Sequence, residues 1–286
     1  MPNTRELRRR IKSVKNISQI TKAMQMVAAT KMRRAQTQAL AGRPYSNALN
    51  EALNRLLAKV DSTTHPLLKM GLTGEVSTVI LSTSKPLCGA LNTNLFRAIA
   101  NTKELLGGTF FTIGSKAQNF VVKTGKKLEA DFENTEVVNF HQAKVLGKLL
   151  INKYLKGEIK EVYLSYPKFI STLRQEPTIE RLLPVSLAGD VELKQSLTGN
   201  NQEYIFEPTP LDLLDSVLTH IVEVKIYQAL LETKASEHSA RMIAMQNATD
   251  NAKELVEDLN LNYNQTRQNG ITQELLEITT AAAALQ

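Results

Sequence analysis

Tryptophan is absent from this chain of 286 residues, and aromatic side chains make up only 5% of it. A thick globular core is usually filled with such residues, so their scarcity points to thin structure over much of the length. There is one cysteine, Cys88, which excludes an internal disulfide and fits a reducing compartment. No apolar run approaches the roughly twenty residues that span a bilayer. The basic N-terminus has no apolar stretch behind it, which excludes a secretory signal; its Arg-rich composition resembles a transit peptide, but it runs on unbroken and is read as mature protein. The most telling absences are local. Residues 3–41 hold neither proline nor glycine, and 211–286 hold no proline and only Gly270.

Two such stretches predict long helices. At 1.5 Å per residue the C-terminal one would reach roughly 110 Å, and the N-terminal one, continued to about residue 60, roughly 85 Å. Helices of that length exceed what a compact domain of this size needs and imply a stalk or shaft. Apolar residues recur every three or four positions: Leu7, Ile11, Val14, Ile17, Ile20, Met24, Val27, Met32 and Ala35 at one end. At the other they are Leu214, Val217, Ile221, Val224, Leu231, Ala235, Met242, Met245, Ala252, Leu255 and Leu259. These narrow stripes predict a coiled coil with an imperfect seam, since Ser18, Thr21 and Thr249 lie on or beside it. Ten cations against Glu6 occupy the first forty residues, whereas 232–286 carry eight carboxylates against four cations. Opposite charge favours pairing, and a folded middle makes the pair antiparallel, with the end of the C-terminal helix left alone.

The middle reads as α/β. Strands are expected at 76–84, 109–114, 135–140 and 161–166, with possible edge strands at 176–185 and 203–206. Helices are expected at 91–106, 117–123 and 142–156, joined to the long helices by turn-rich 62–74 and 188–202. The alternation predicts a mainly parallel sheet covered on both faces. The expected division is a helix over 1–61, a Rossmann-like α/β domain over 75–206 and a helix over 208–286.

Catalytic chemistry is hard to assemble from these residues. The segment SKPLCGALNTN (84–94) follows the first strand, where open α/β sheets bind ligands, but lacks the dinucleotide and phosphate-loop glycine patterns. A structural turn leading into a helix is the better reading. Cys88 has no histidine near it in sequence, and His65, His141, His220 and His238 show no metal-ligand spacing. The expectation is a chain that is not an enzyme and takes no cofactor or metal. The basic helix also fits nucleic acid, but its apolar stripe demands a partner face, which the acidic helix offers.

Segments 11–32 (IKSVKNISQITKAMQMVAATKM), 87–96 (LCGALNTNLF), 240–252 (ARMIAMQNATDNA) and 263–278 (YNQTRQNGITQELLEI) closely resemble the gamma subunit family of F-type ATP synthases. The resemblance implies a non-catalytic central-stalk rotor that couples ion flow through a membrane c ring to ATP synthesis or hydrolysis on three alpha and three beta subunits. It implies an epsilon subunit as a further partner and a peripheral position on the cytoplasmic face of a bacterial plasma membrane. It also implies beta-subunit contacts at Met24, Arg241, Arg267, Gln268, Thr272 and Glu274, and c-ring or epsilon contacts at Tyr204, Phe206 and Glu207. Many members carry Asp-Arg-Gly where this chain has Ser84-Lys85-Pro86, so roles attached to those family residues do not transfer. The alanine-rich end, 278–285, reads equally as a smooth bearing or a frayed terminus. The alternative to a rotor is a coiled-coil scaffold or nucleic-acid-binding stalk of unrelated origin.

Overall fold

The computed structural model describes residues 4–57, 65–71, 73–105, 107–185 and 209–284. In chain order the elements are α1 (Thr4–Leu57), β1 (Glu75–Leu81), α2 (Leu91–Asn101), β2 (Thr109–Ile113), α3 (Ser115–Lys123), β3 (Lys127–Phe132), α4 (Phe140–Leu155), β4 (Ile159–Phe169), β5 (Gln175–Leu183) and α5 (Pro210–Ala284). Short 3-10 turns lie at Pro66–Leu68 and Lys103–Leu105. The two long helices have 54 and 75 residues. The chain divides into two compact units, one of Lys31–Ala240 and one of Met1–Thr30 with Arg241–Gln286.

The larger unit is built on a five-stranded sheet in the order β3-β2-β1-β4-β5. All neighbours are parallel except β4 and β5, which form an antiparallel hairpin. The inner parallel strands β1 and β2 are buried on both faces over most of their length and read as nearly continuous apolar or small runs. Ile80 and Phe110 face α2 and α3, packing on Leu95, Ile99, Ala117 and Val121. Their neighbours Val79, Leu81 and Phe111 face α4 and α5, with Leu146, Leu150, Ile221 and Ile226. Leu53 of α1 is part of that second core. The first two strands come close at Gly108, where an added Cβ would lie 1.6 Å from the Val76 carbonyl oxygen. Only glycine fits that approach. Residues 229–239 of α5 are buried all round, including Glu232, Lys234, Glu237 and His238.

The fold class is as expected, with two corrections of position. The third strand is Lys127–Phe132, whereas 135–140 leads into the Asn139 cap of α4, whose side chain accepts from the His141 amide at 3.0 Å. The helix begun at Leu91 stops at Asn101 and tightens into a 3-10 turn rather than running to residue 106. The expected strand at 203–206 and connection at 188–202 lie outside the described residues.

In the smaller unit α1 and α5 pair antiparallel. Leu7, Ile11 and Val14 pack on Ala252, Val256, Leu259 and Tyr263, and Thr21 meets Thr249. The inward positions of α1 here are 7, 11, 14, 18, 21, 25 and 28, an unbroken alternation of fours and threes. On α5 they are 245, 249, 252, 256, 259, 263 and 266. Strict heptads therefore run through Ser18, Thr21 and Gln25 where apolar residues were expected. Ile17, Ile20 and Val27 are instead more than half exposed, and Leu255 yields its place to Val256. The register is set by geometry, and the nearest apolar side chain does not move it by one position.

Candidate interaction surfaces

Beyond residue 266 the side chains of α5 are exposed as far as Ala282. Arg267, Gln268, Thr272 and Glu274 all lie in this segment. Its hydrogen bonds are local ones: the Thr272 hydroxyl donates to the Gln268 carbonyl at 3.0 Å, and Gln273 Nε2 donates to Glu277 at 3.3 Å. Interleaved with these polar residues are Ile271, Leu275, Leu276 and Ile278, each more than half exposed. Arg267, Ile271, Glu274, Leu275 and Ile278 fall at helical spacing on one face. An apolar stripe edged by a cation and a carboxylate is a surface suited to another protein.

The smaller unit carries a second such stripe. Ile17, Ile20, Met24 and Val27 are spaced by three, four and three, beside the seam rather than in it. Met24 is half-buried at its edge, and Lys12, Lys15 and Lys22 are exposed on the same helix. Arg241 differs from the other expected contact residues. It is buried at 8% and already engaged, so it offers less to an outside partner than the bare residues do. Tyr204, Phe206 and Glu207 lie outside the described residues.

The larger unit shows where its polar groups are spent. At the carboxyl end of β1, Asn92 Nδ2 donates to the Thr83 hydroxyl at 2.8 Å and to Cys88 Sγ at 3.4 Å, while the Thr83 amide donates to Asn92 Oδ1 at 3.3 Å. The turn is tied back onto α2, and the thiol is buried within it. Lys31 of α1 pairs with Glu136 in the β3–α4 connection. That hydrogen bond and charge, with lesser help from Lys85 and His238, hold the Glu136 carboxyl below its ordinary range. His65 Nδ1 accepts from the Leu67 amide at 3.2 Å, so Nε2 carries the proton and donates to Asp215 at 3.2 Å. The pair edges an open cavity of about 550 Å³ that Lys148 and Asn152 also line. Among the described residues no group of His, Cys, Asp and Glu is placed to hold a metal ion. No helix among them is long and apolar enough to cross a membrane.

A residue that sequence reasoning passed over is Arg43. It lies on α1 between Gly42 and Pro44 and reaches Glu232 of α5 and the Phe169 carbonyl of β4. The signal available was that Gly-Arg-Pro triplet inside a long helical pattern.

Comparison with known proteins matches residues 3–285 to the family described as ATP synthase. The ATP synthase gamma chain of Methylacidiphilum infernorum is 42% identical over 295 residues, covering 100% of both chains. That of Heliobacterium modesticaldum is 40% identical, again over 100% of both. The fold resembles the rotor of the Euglena gracilis mitochondrial ATP synthase, with a TM-score of 0.66 at 19% identity over 94% of this chain and 98% of that one. It also resembles the central stalk of the Tetrahymena thermophila enzyme, with a TM-score of 0.59 at 24% identity over 80% and 99%. A full-length match at this identity, together with the presence of paired long helices and an α/β sheet, means that the chain belongs to the ATP synthase gamma chain family.

Proposed function

We propose that this chain is the central-stalk rotor subunit of an F-type ATP synthase. It turns within three alpha and three beta subunits and couples ion flow through a c ring to ATP synthesis or hydrolysis, contributing no catalytic group itself. The observation that carries the reading is the bare end of α5, an exposed apolar stripe with charged edges, on a chain that matches gamma chains from end to end. A shaft needs a stiff helix pair and surfaces that touch several partners in turn without interlocking. The polar heptad positions Ser18, Thr21 and Gln25 and the two exposed stripes fit both requirements.

Under this reading Met24, Arg267, Gln268, Thr272 and Glu274 meet beta subunits, with Arg241 supporting from a buried position. Tyr204, Phe206 and Glu207 serve the c ring and epsilon. The chain then sits peripherally at the cytoplasmic face of a bacterial plasma membrane. The test is coexpression with its own alpha and beta subunits, purification through a tag on this chain, and the mass of the complex. One copy per three alpha and three beta, with ATP hydrolysis that drives ion uptake into vesicles once the membrane sector is added, is the expected result. Recovery of the chain without alpha and beta would overturn it.

A further inference from the structure

We propose that Arg43 and Glu232 form a register lock that makes α1, α5 and the sheet turn as one body, so that they set coupling efficiency rather than assembly. The inference rests on the rotor reading above.

The need for a lock follows from the helix interface around it. On α1 the residues facing α5 are Ala35, Ala39 and Gly42, three small residues in successive turns. They pack on Leu231 and Ala235 together with Phe169. The approach is close enough that a Cβ on Gly42 would lie 2.5 Å from Gln228 Oε1. Small side chains allow two helices to lie near each other but supply few knobs, and it is knobs in holes that resist sliding and rolling. A shaft under torque is weakest where its helices are smoothest.

At that place the polar contacts concentrate. Arg43 Nη2 donates to Glu232 Oε1 at 3.2 Å and to the Phe169 carbonyl at 3.0 Å, and Nε donates to Glu232 Oε1 at 3.3 Å. Gln228 Nε2 donates to the Ala39 carbonyl at 2.9 Å and to the same Glu232 oxygen at 3.3 Å. One guanidinium thus binds a carboxylate on α5 and the end of β4 while belonging to α1. Glu232 is 4% exposed, its Oε2 has no hydrogen bond, and Arg43 is its ion-pair partner. A slip of one turn would carry this carboxylate about 5.4 Å from its cation and leave a charge buried without a partner. Buried polar pairs are a poor source of stability but a good way to specify register. The planar fork also matters, because an ammonium in its place is a point charge that cannot hold both acceptors in one geometry.

The experiment uses the assembled complex in vesicles and reads ion uptake and ATP hydrolysis together, per complex. Arg43→Lys keeps the charge and loses the fork; it should assemble like the wild type, while ions moved per ATP fall about threefold because the point charge no longer holds both acceptors in one geometry. Arg43→Met with Glu232→Leu removes the buried charge altogether and keeps the volume, so it reports on coupling even if the lysine variant assembles poorly. It too should uncouple. An unchanged ratio in either variant overturns the lock. A wild-type complex that hydrolyses ATP without moving ions would instead overturn the rotor reading on which the lock depends.

Discussion

Lys225 lies on α5 between Val224 and Ile226, both buried, and burial lowers its pKa with only partial opposition from Glu180. Its charged form is disfavoured in the folded state, so at neutral pH the native chain carries a desolvation cost that the unfolded chain does not. A depressed pKa makes wild-type stability rise with pH between the folded value and the ordinary lysine value of about 10.4. Lys225→Met should therefore melt higher than the wild type at pH 7. The difference should shrink as pH climbs through that window, where the lysine sheds its proton. Paired thermal melts at pH 7 and about pH 10 check this. A gap that stays constant, or widens at high pH, would show that the side chain reaches water and that burial is not the cause.

At the scale of elements, the long helices were legible because their period repeats so often that single errors average out. Their seams were less so. Ile17 and Ile20 each stand one position before Ser18 and Thr21, and a reading by hydrophobicity chose the greasier neighbour. The helices instead keep strict heptads and accept hydroxyl groups: Thr249 is 3% exposed and donates either to the Met245 carbonyl or to the Thr21 hydroxyl, which in turn donates to the Ser18 carbonyl. Each hydroxyl is satisfied without a new partner. β3 escaped for a different reason. Lys127–Phe132 alternates as an edge strand should, but half its residues are Lys, Glu or Asp, which β-propensity marks down. Arg43 escaped because a lone cation in a helix resembles a solvated one until the partner helix is placed beside it.

The heptad assignment can be tested directly. Gln25→Leu puts an apolar side chain at an inward position and should stabilise the chain by about 1 kcal/mol in denaturant unfolding, less than full leucine burial because the site is half-open. Ile20→Ser, off the seam, should stay within about 0.5 kcal/mol of the wild type. The reverse order of effects would move the seam back to the isoleucines.

For the whole molecule the question is why the end of α5 stays helical when its side chains are exposed from Arg267 as far as Ala282. Short isolated helices are marginal in water. This one is carried by nucleation from the paired part and by alanine, the best helix former. Keeping an apolar stripe bare on such a segment has a cost in solubility, and under the rotor reading the compensation lies in what the stripe meets after assembly. Arg267 and Gln268 stand at its root, where Thr266 still faces inward and the next residues do not. A guanidinium and an amide there are free to make bidentate and charge-assisted contacts with a neighbouring subunit's loop. Replacing both by alanine should leave helical content and melting of the free chain unchanged, because exposed positions away from caps and cores shift stability by only a few tenths of a kcal/mol. In the assembled enzyme the same double variant should lower both ATP hydrolysis and ATP synthesis by about tenfold, the effect of losing roughly 1.4 kcal/mol of contact at a step that limits turnover. Circular dichroism of the chain alone, set beside turnover of the complex, separates the two contributions. Full turnover with both side chains removed would make this root ordinary solvated helix and shift the contact to the apolar stripe beyond it.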